Sequence, residues 1–473
     1  MHKPIVISDI SLSFPDKMCF ADFSCIIQPA ARIAVIGRNG GGKSSLLKIL
    51  TGLMQPSSGE ISNTENLTIS YVPQIITDRP SLSGGERFNK ALTSALAQNP
   101  DVLLLDEPTN HLDARNRRAL MQMLRFYAGT LIIVSHDREL LKNTAATLWH
   151  IDNGHINIFN GSYEDYLERQ KIQRAAAQRE LCLLDKEKTL AHKALMKEQA
   201  RAAQSRKHGE RLSKTGKWPP IIAGGKKRQA QNTAGAKYAG INERRAQVHE
   251  KLSSLYIPEI IKPKFSITSA QAQSGAIIIV QDGAAGYGGR PLLEGINFSL
   301  AGNERMAITG GNGSGKTTLL KALMRDGGVK TSGGWTLPKK EDIGYLDQHY
   351  ANIDYDKTVF ENIKRLMSAA AHAQIRDFLN DFLFRKQGEV NCSAATLSGG
   401  ERARLSFALI AARTPKLLIL DEITNNIDLE TKDHLAQILK DFPAALIAVS
   451  HERGFLEEIN ITKYYDVEGR RAK

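Results

Sequence analysis

The sequence contains no apolar run long enough to cross a membrane, and its first residues, Met1 to Pro4, do not have the pattern of a secretory signal peptide. Cysteine is scarce as well. The four cysteines show no metal-ligand spacing and indicate free thiols in a reducing cytosol: Cys19, Cys25, Cys182 and Cys392. We therefore expect a cytoplasmic protein whose 473 residues have room for two or three domains.

Outside one central segment, the chain has no excess of either charge. The formal net charge is +13, and 23 of the 63 Lys and Arg residues lie between Asp165 and Phe265. Only 10 of the 50 Asp and Glu residues lie there, which leaves 40 charges of each sign elsewhere. Such a block can be the solvated face of a helix. An excess concentrated in one segment instead favours a polyanionic partner, either nucleic acid or an acidic membrane.

The first half of this segment lacks helix breakers. From Tyr163 to about Ser213 there is no proline, and no glycine precedes Gly209, which predicts one helix of roughly 75 Å. An apolar stripe on this helix and a second stripe within 229–256 predict an antiparallel helical hairpin. The first stripe comprises Leu181, Leu184, Leu190 and Leu195, and the second comprises Ile241, Val248, Leu252 and Leu255.

The outer part of the hairpin, from Lys197 to Lys237, almost lacks a helical apolar stripe. Its low apolar content is compatible with a disordered basic linker. Alternatively, a cationic tip that cannot bury a core would probe a large anionic partner, and its binding would weaken steeply with salt. The residues expected to make this contact are Arg206, Lys207, Arg211, Lys214, Lys217, Trp218, Lys226, Lys227 and Arg228.

A glycine-rich loop occurs once before this segment and once after it. Gly37 to Ser44 reads G-x-x-x-x-G-K-S, follows the apolar run 32–36 and precedes a helical pattern; the loop returns at Gly310 to Thr318. This context predicts a phosphate cradle of backbone N–H groups, with lysine on the phosphates and the next hydroxyl on Mg²⁺. The loop residues are Gly37, Asn39, Gly40, Gly42, Lys43, Ser44 and Ser45, and Gly310, Asn312, Gly313, Gly315, Lys316, Thr317 and Thr318.

Each copy also places polar residues after buried strands. Asp106 and Glu107 follow the apolar run 102–105, and His136 follows the run 130–135. The second copy has Asp421, Glu422 and His451, with 30 residues from aspartate to histidine in both copies. Because successive side chains along a strand point in opposite directions, one carboxylate can hold Mg²⁺ while the other contacts a water molecule. A lone histidine is more often structural, but open α/β sheets bind their ligands at strand ends.

Three further motifs recur. An aromatic residue lies 29 residues before each lysine, where it can stack on adenine or belong to the core. A glutamine ends a strand in each copy, and a Ser-Gly-Gly turn opens a helix whose free N–H groups can bind an anion. The chain is therefore a duplication. These residues are Phe14, Gln74, Ser83, Gly84 and Gly85 in the first copy and Tyr287, Gln348, Ser398, Gly399 and Gly400 in the second.

In this order the motifs resemble those of ATP-binding cassette ATPases. The resemblance implies two ATP sites formed head to tail, each closed by the Ser-Gly-Gly turn of the other cassette. Glu107 and Glu422 would position or deprotonate the attacking water, beside His136 and His451. The Mg²⁺ ligands would be Ser44, Gln74 and Asp106 in one site and Thr317, Gln348 and Asp421 in the other.

Two cassettes joined by a long charged helical linker resemble the ABC-F family. The expected fold is α/β, with P-loop cassettes at 1–164 and 271–473 and a basic helical-hairpin linker at 165–270. The resemblance implies ATP and Mg²⁺ as cofactors and the ribosome, with its rRNA and tRNA, as partner. The linker would enter near the peptidyl-tRNA site to relieve stalled or drug-bound states, and the protein would be a monomer with an intramolecular cassette pair.

The two copies differ most between the glutamine and the motif serine, which are 9 residues apart in the first copy and 50 in the second. We therefore expect a small helical subdomain, including 358–364 and 373–379, in the second cassette alone. This difference argues against the alternative function, an ATPase subunit of a membrane transporter, which needs a coupling groove on both cassettes. A DNA-acting clamp is a third hypothesis, although there a coiled coil normally interrupts one cassette.

The second cassette also departs from the motif after its paired carboxylates. Ile423 and Asn426 stand where the first copy has Pro108 and His111, and Ile423 lacks the fixed φ of proline. We expect the second site to hydrolyse ATP, and these substitutions can lower its rate.

Overall fold

The structure is a computed structural model, and it describes most of the two cassettes and part of the linker. The described residues are 2–15, 17–62, 67–74, 76, 84–110, 112–214, 239–241, 243, 246–248, 250–251, 275–347, 349–424 and 427–470, with the backbone alone at 202 and 205–214.

The N-terminal cassette alternates strands and helices over 5–160. Its elements are β1 (Ile5–Phe14), β2 (Lys17–Ile27), β3 (Arg32–Gly37), α1 (Lys43–Leu50), β4 (Ser58–Ser62), β5 (Ile69–Val72), α2 (Gly84–Leu96), β6 (Val102–Asp106), α3 (Ala114–Phe126), β7 (Thr130–Val134), α4 (Arg138–Thr144), β8 (Thr147–Asp152) and β9 (His155–Asn160).

The main sheet of this cassette brings the predicted motifs to one edge. Its strand order is β5-β6-β7-β3-β8-β9, parallel except for β9. Every residue of β6 and β7 is buried, as expected for parallel strands covered on both faces. Because β3, β6 and β7 run parallel, the glycine loop, the paired carboxylates and His136 all follow strand ends at the same edge.

The C-terminal cassette repeats this arrangement over 276–466. Its elements are β10 (Ala276–Tyr287), β11 (Arg290–Ala301), β12 (Arg305–Thr309), α6 (Lys316–Leu323), β13 (Lys330–Thr336), β14 (Ile343–Asp347), α7 (Val359–Lys364), α8 (His372–Asp381), α9 (Gln387–Asn391), α10 (Gly399–Arg413), β15 (Leu417–Asp421), α11 (Leu429–Lys440), β16 (Ala445–Val449), α12 (Arg453–Glu458) and β17 (Lys463–Asp466).

The duplication is confirmed by the sheet topology. The order β14-β15-β16-β12-β17 matches β5-β6-β7-β3-β8, and each cassette adds a small antiparallel sheet, β2-β1-β4 or β11-β10-β13. The helices expected in the second cassette are also confirmed as α7 and α8. Thr358 and Glu361 form a capping box at the start of α7. Residues 75 and 77–83 of the first cassette, where only a turn was expected, lie outside the described residues.

Asp165–Glu259 forms a compact unit separate from the two cassettes. The long helix predicted here is confirmed as α5 (Tyr163–Lys214), which has 52 residues. Leu184, Leu195 and Val248 are buried, as a hairpin requires. Leu190 is 65% exposed, so its assignment to the stripe is wrong: seven residues after Leu184 the helix brings Ala191, not Leu190, to that face.

The tip residues Lys217, Trp218 and Lys226 to Arg228 lie outside the described residues, as do Leu252 and Leu255. Arg206, Lys207, Arg211 and Lys214 belong to α5, where the backbone alone is described. In the part of the chain that the structure describes, no helix combines the length and apolarity that crossing a bilayer requires.

Candidate active sites

Each glycine loop curls around the ammonium group of its own lysine. Lys43 Nζ donates to the carbonyl oxygens of Gly37 at 2.8 Å and Arg38 at 3.0 Å. Lys316 Nζ donates to the equivalent carbonyls of Gly310 at 3.0 Å and Gly311 at 2.9 Å. Both lysines begin a helix, α1 or α6, and both are buried. The loops therefore place a buried cation and a helix N-terminus at one point, as a phosphate cradle requires.

The glycine just before each lysine cannot be replaced without strain. Gly42 has φ +94°, and a Cβ there would lie 2.9 Å from Cys19 Cβ. Gly315 has φ +103°, and its Cβ would lie 2.8 Å from Leu293 Cδ2. The left-handed backbone and the close neighbour explain why both copies have glycine at this position.

The second carboxylate of each pair leaves its strand through a left-handed backbone. Glu107 has φ +48° and Glu422 has φ +49°, conformations that are uncommon for residues other than glycine. Their N–H groups donate to the carbonyl oxygens of Val134 at 2.8 Å and Val449 at 3.0 Å, at the ends of β7 and β16. The same strand end therefore holds the glutamate and leads to the histidine, and the repeated strain is typical of functional positions.

The glutamate and histidine are closer and more buried in the first cassette. His136 Nε2 lies 3.4 Å from Glu107 Oε1, and the His136 N–H donates to Glu107 Oε2 at 3.3 Å. In the second cassette His451 Nε2 lies 3.7 Å from Glu422 Oε1. The Glu107 side chain is 8% exposed and that of Glu422 is 31% exposed, so the two sites are not equivalent electrostatically.

Burial controls the protonation of this first pair. It raises the pKa of Glu107 to about 8, with Lys43 acting in the opposite direction. It also lowers the pKa of His136 well below its usual value, and Lys43 and Lys432 lower it further. Near neutral pH, His136 is therefore uncharged, so that one ring nitrogen donates a hydrogen bond and the other accepts one.

We expect Glu107→Gln to stabilise the nucleotide-free chain increasingly as pH rises. Glu107 ionises near pH 4.5 when unfolded and about 8 when folded, so the stability supplied by its protonated form is complete below pH 4.5 and lost as pH rises through 8. Glutamine removes that loss. In thermal melts with EDTA, the variant should match the parent at pH 5 and melt roughly 2–6 °C higher at pH 8.5.

Glu422→Gln is the matched control, because the more exposed carboxylate should change the melting temperature less. A parent-to-variant difference that stays constant between pH 5 and 8.5 would contradict a raised pKa at Glu107.

Two tyrosines that the motifs did not indicate hold the first carboxylate of each pair. The Tyr71 hydroxyl donates to Asp106 Oδ2 at 3.2 Å, and the Tyr345 hydroxyl donates to Asp421 Oδ2 at 3.0 Å. Burial raises the pKa of both aspartates, and hydrogen bonds from these tyrosines act against it. Each tyrosine lies three residues before the motif glutamine, so the repeated position was a signal available in the sequence.

One cavity of about 400 Å³ brings together most of the residues that were predicted for the first ATP site. A half-exposed aromatic, Phe14, lies at its edge. On the opposite cassette, a Cβ placed on Gly399 would lie 3.7 Å from Asn39 Nδ2, so the Ser-Gly-Gly turn contacts the glycine loop. The predicted residues that line the cavity are Phe14, Asn39, Gly40, Gly42, Lys43, Ser44, Ser45, Gln74, Asp106, Glu107 and His136.

A second cavity, of about 380 Å³, crosses between the cassettes. Gly84 of the first cassette lines it together with Asn312, Glu422 and His451 of the second. Tyr287 is half exposed at the end of β10. Ser83 and Gln348, both predicted for this site, lie outside the described residues, as do His111 and Asn426.

Two aspartates that cap helices also reach the opposite glycine loop. Asp428 caps α11 by accepting a hydrogen bond from the Thr431 N–H at 2.8 Å. Its other oxygen, Oδ2, lies 3.5 Å from the main-chain nitrogen of Asn39 in the first cassette. Asp113 caps α3 in the same way, and its Oδ2 lies 3.7 Å from where a Cβ on Gly311 would be. The structure therefore shows the cassettes apposed head to tail.

Ion pairs between the cassettes surround these contacts. Arg38 Nε lies 2.8 Å from Glu430 Oε2, and Arg138 contacts both Asp433 and Glu458. In each pair the first cassette supplies the cation and the second the carboxylate, so this interface is complementary in charge.

Comparison with known proteins agrees with this architecture. The family model described as "ABC transporter" matches residues 20–79 and 293–425, and an AAA domain model matches 80–142. Sequence similarity covers nearly the whole chain. The ribosome protection protein VmlR of Bacillus subtilis (strain 168) is 30% identical over 98% of this chain and 86% of its own length. The energy-dependent translational throttle protein EttA of Mycobacterium tuberculosis is 29% identical over 93% of this chain and 87% of its own.

The fold also resembles a solved structure of the archaeal ribosome recycling factor aABCE1 in complex with the ribosomal stalk protein aP1. The TM-score is 0.60 at 17% identity, covering 95% of this chain and 86% of that one. The α/β fold with tandem cassettes and a long helical insertion is thus confirmed.

Proposed function

We propose a ribosome-directed role for this chain, which belongs to the ABC-F family of ATP-binding cassette ATPases. The chain binds nucleotide and is an ATPase. Our proposal is that ATP holds the two cassettes closed on the ribosome, and that the basic linker then lies near the tRNA and peptidyl-transferase region to relieve stalled or drug-bound states.

The observation that carries this proposal is the similarity to a ribosome protection protein along 98% of the chain, through both cassettes and the linker. Charge distribution supports it independently. The linker holds 23 Lys and Arg residues against 10 Asp and Glu, while the rest of the chain is balanced. A segment of this charge is suited to the phosphate backbone of RNA.

Two composite ATP sites would perform the hydrolysis. The first would take its phosphate-binding groups from Lys43 and Ser44 and its closing turn from Ser398 and Gly400. The second would combine Lys316 and Thr317 with the turn at Ser83 and Gly85. Phe14 and Tyr287 would stack on the adenines. Because the closing turn belongs to the other cassette, ATP would bind the closed state more tightly and shift the population toward it.

The residues around Asp106 are suited to a divalent cation. Among the described residues, none hydrogen-bonds to Asp106 Oδ1, which is buried. Ser44, Gln74 and Asp106 would supply oxygen ligands of the type that Mg²⁺ prefers, as would Thr317, Gln348 and Asp421 in the second site. Bound Mg²⁺ would neutralise the charge that develops on the phosphates.

The side chains themselves would carry out the proton transfer. In its ionised form, Glu107 or Glu422 would orient the attacking water and accept its proton, and the neighbouring histidine would hold the glutamate in place by its position at the next strand end. The lysine would stabilise the charge on the γ-phosphate. The proposed division of the chain is 1–164 and 271–473 for the cassettes and 165–270 for the linker, acting as a monomer in the cytoplasm.

Ribosome co-sedimentation tests the proposal directly. The double variant Glu107→Gln, Glu422→Gln, which should trap the ATP-bound state, should pellet with ribosomes when ATP is present and be released as salt is raised from low to moderate concentration. Wild type with ATP should be retained less, because it hydrolyses the nucleotide and reopens.

A linker variant in which Arg206, Lys207, Arg211 and Lys214 are replaced by glutamine is the control for the RNA contact. It should keep its ATPase rate and lose retention. Equal absence from the pellet with and without ATP would overturn the proposal, and co-fractionation with membranes instead would favour the transporter alternative.

A further inference from the structure

Two buried cations occupy equivalent positions on the helices that follow the capping aspartates. Arg117 lies four residues after Asp113 in α3, and Lys432 lies four residues after Asp428 in α11. Arg117 is 5% exposed and Lys432 is 2% exposed. A cation in the first turn of a helix faces the positive end of the helix dipole, so each requires carboxylate partners.

Each cation first pairs with a carboxylate of its own cassette that directly follows the active-site histidine. Arg117 donates from Nε to Asp137 Oδ2 at 2.5 Å and from Nη2 to Asp137 Oδ1 at 2.6 Å. Lys432 Nζ donates to both carboxylate oxygens of Glu452, at 2.8 and 2.9 Å. Arg117 Nη2 also lies 3.1 Å from Glu139 Oε2. These bonds hold each histidine turn to the helix of its own cassette.

Each cation then donates one more hydrogen bond across the interface. Arg117 Nη1 donates to the main-chain oxygen of His451 at 2.8 Å. Lys432 Nζ donates to the main-chain oxygen of His136 at 3.0 Å. The two bonds are reciprocal: each cassette holds the histidine of the other. Because the donor and acceptor belong to different cassettes, neither bond can form unless the cassettes are apposed.

We propose that Arg117 and Lys432 are positioning residues that act in trans: Lys432 aligns His136 in the first ATP site, and Arg117 aligns His451 in the second. The inference deepens the proposed function, because it rests on the two composite ATP sites. The carbonyl and the ring of His136 belong to one residue, so a displaced carbonyl also moves the ring away from Glu107, 3.4 Å distant. Each site is thereby aligned for hydrolysis only when the other cassette is seated against it, which couples the two sites.

The test measures ATP turnover one site at a time, with the purified full-length chain and no ribosomes. In the Glu422→Gln background the remaining turnover comes from the first site, and in the Glu107→Gln background it comes from the second. Lys432→Met is combined with Glu452→Gln, so that no buried carboxylate is left unpaired. The pair removes the crossing bond to His136 together with the bonds inside the second cassette, and the site that loses turnover shows which of them matters. Arg117→Met is combined with Asp137→Asn, which can still cap α4.

We expect the Lys432→Met, Glu452→Gln pair to lower kcat at the first site about 10- to 100-fold and at the second less than about 3-fold, with KM for ATP nearly unchanged at both. The Arg117→Met, Asp137→Asn pair should do the reverse. Lys432→Arg and Arg117→Lys, which keep a donor and a charge, should restore most of the turnover. Thermal melts establish that each variant is folded.

A merely structural role predicts a different pattern, because each cation also braces its own cassette. Three results would each overturn the inference for a given pair of substitutions. Turnover could fall at the site whose glycine loop belongs to the substituted cassette, it could fall equally at both sites, or it could stay unchanged at both. If a methionine variant does not fold, Lys432→Arg and Arg117→Lys provide the test alone. The inference requires both to keep most of their ATP turnover. A selective loss of turnover at the site whose glycine loop belongs to the substituted cassette would contradict it. If the chain is not retained on ribosomes, the proposed function is contradicted, but the turnover measurements described here, which use no ribosomes, are unaffected.

Discussion

The Glu107→Gln, Glu422→Gln double variant is expected to lose ATP turnover by about 10²- to 10³-fold while still binding ATP. Glutamine keeps the shape of the side chain and can orient a water, but it cannot accept a proton. The strained backbone at both positions is independent of the side-chain charge and should persist. The measurement is steady-state phosphate release together with binding of a fluorescent ATP analogue.

The two single variants should not be equal. Glu107 is the more buried and lies nearer to its histidine, and Ile423 replaces a proline beside Glu422. We therefore expect Glu107→Gln to remove the larger share of turnover. Full activity in the double variant would show that neither glutamate acts on the water. A loss of ATP binding as large as the loss of turnover would show that both glutamates serve nucleotide binding alone.

Gly42→Ala is expected to lower ATP affinity at the first site by roughly 30- to 1,000-fold, which corresponds to about 2–4 kcal/mol. Its φ of +94° is unfavourable for alanine, and the added Cβ would lie 2.9 Å from Cys19 Cβ. To accommodate it the loop must shift, and the N–H groups that surround the phosphates would no longer converge. Equilibrium titration in the Glu107→Gln, Glu422→Gln background, where nucleotide is not consumed, measures the two sites as separate phases.

Gly41→Ser is the matched control for this substitution. The second loop has Ser314 at the equivalent position, and Gly41 does not have a left-handed backbone. A Cβ there would lie 3.0 Å from the Arg38 carbonyl oxygen, so the loop must shift by only a few tenths of an ångström to accept serine. We expect a change of less than about 3-fold in affinity. If Gly42→Ala bound ATP as tightly as the parent, the closed curl of the loop would not be required for phosphate binding.

The sequence predicts most readily which residues lie together when they are adjacent in the chain. The glycines, lysine and hydroxyl of the loop lie within a few residues of one another, so the grouping of Gly42, Lys43 and Ser44 follows from their order in the sequence. Asp106 and His136 were predictable too, because apolar runs predict buried strands and parallel strands end at one edge. The structure places both in one cavity with the loop.

Other parts of the site left a weaker signal or none. Tyr71 and Tyr345 recur three residues before the motif glutamines, so comparison of the two copies could have found them. Arg117 and Lys432 could not be assigned from sequence, since they contact main-chain atoms 334 and 296 residues away in the chain. Every residue has a main-chain oxygen, so a bond to that atom does not require any particular residue type at the acceptor position. It therefore leaves no pattern in the sequence. The apolar stripe of α5 was likewise misjudged at Leu190, which faces solvent.

The sequence by itself determined that this chain is a duplicated P-loop ATPase with a basic helical segment between its copies, because periodicity, glycine loops and charge are local properties of the chain. The tertiary structure alone decided that Glu107 is buried while Glu422 is partly exposed, and that each histidine is held by a cation of the other cassette. Burial and long-range apposition depend on the whole fold, so two sites with nearly the same motifs acquire different environments.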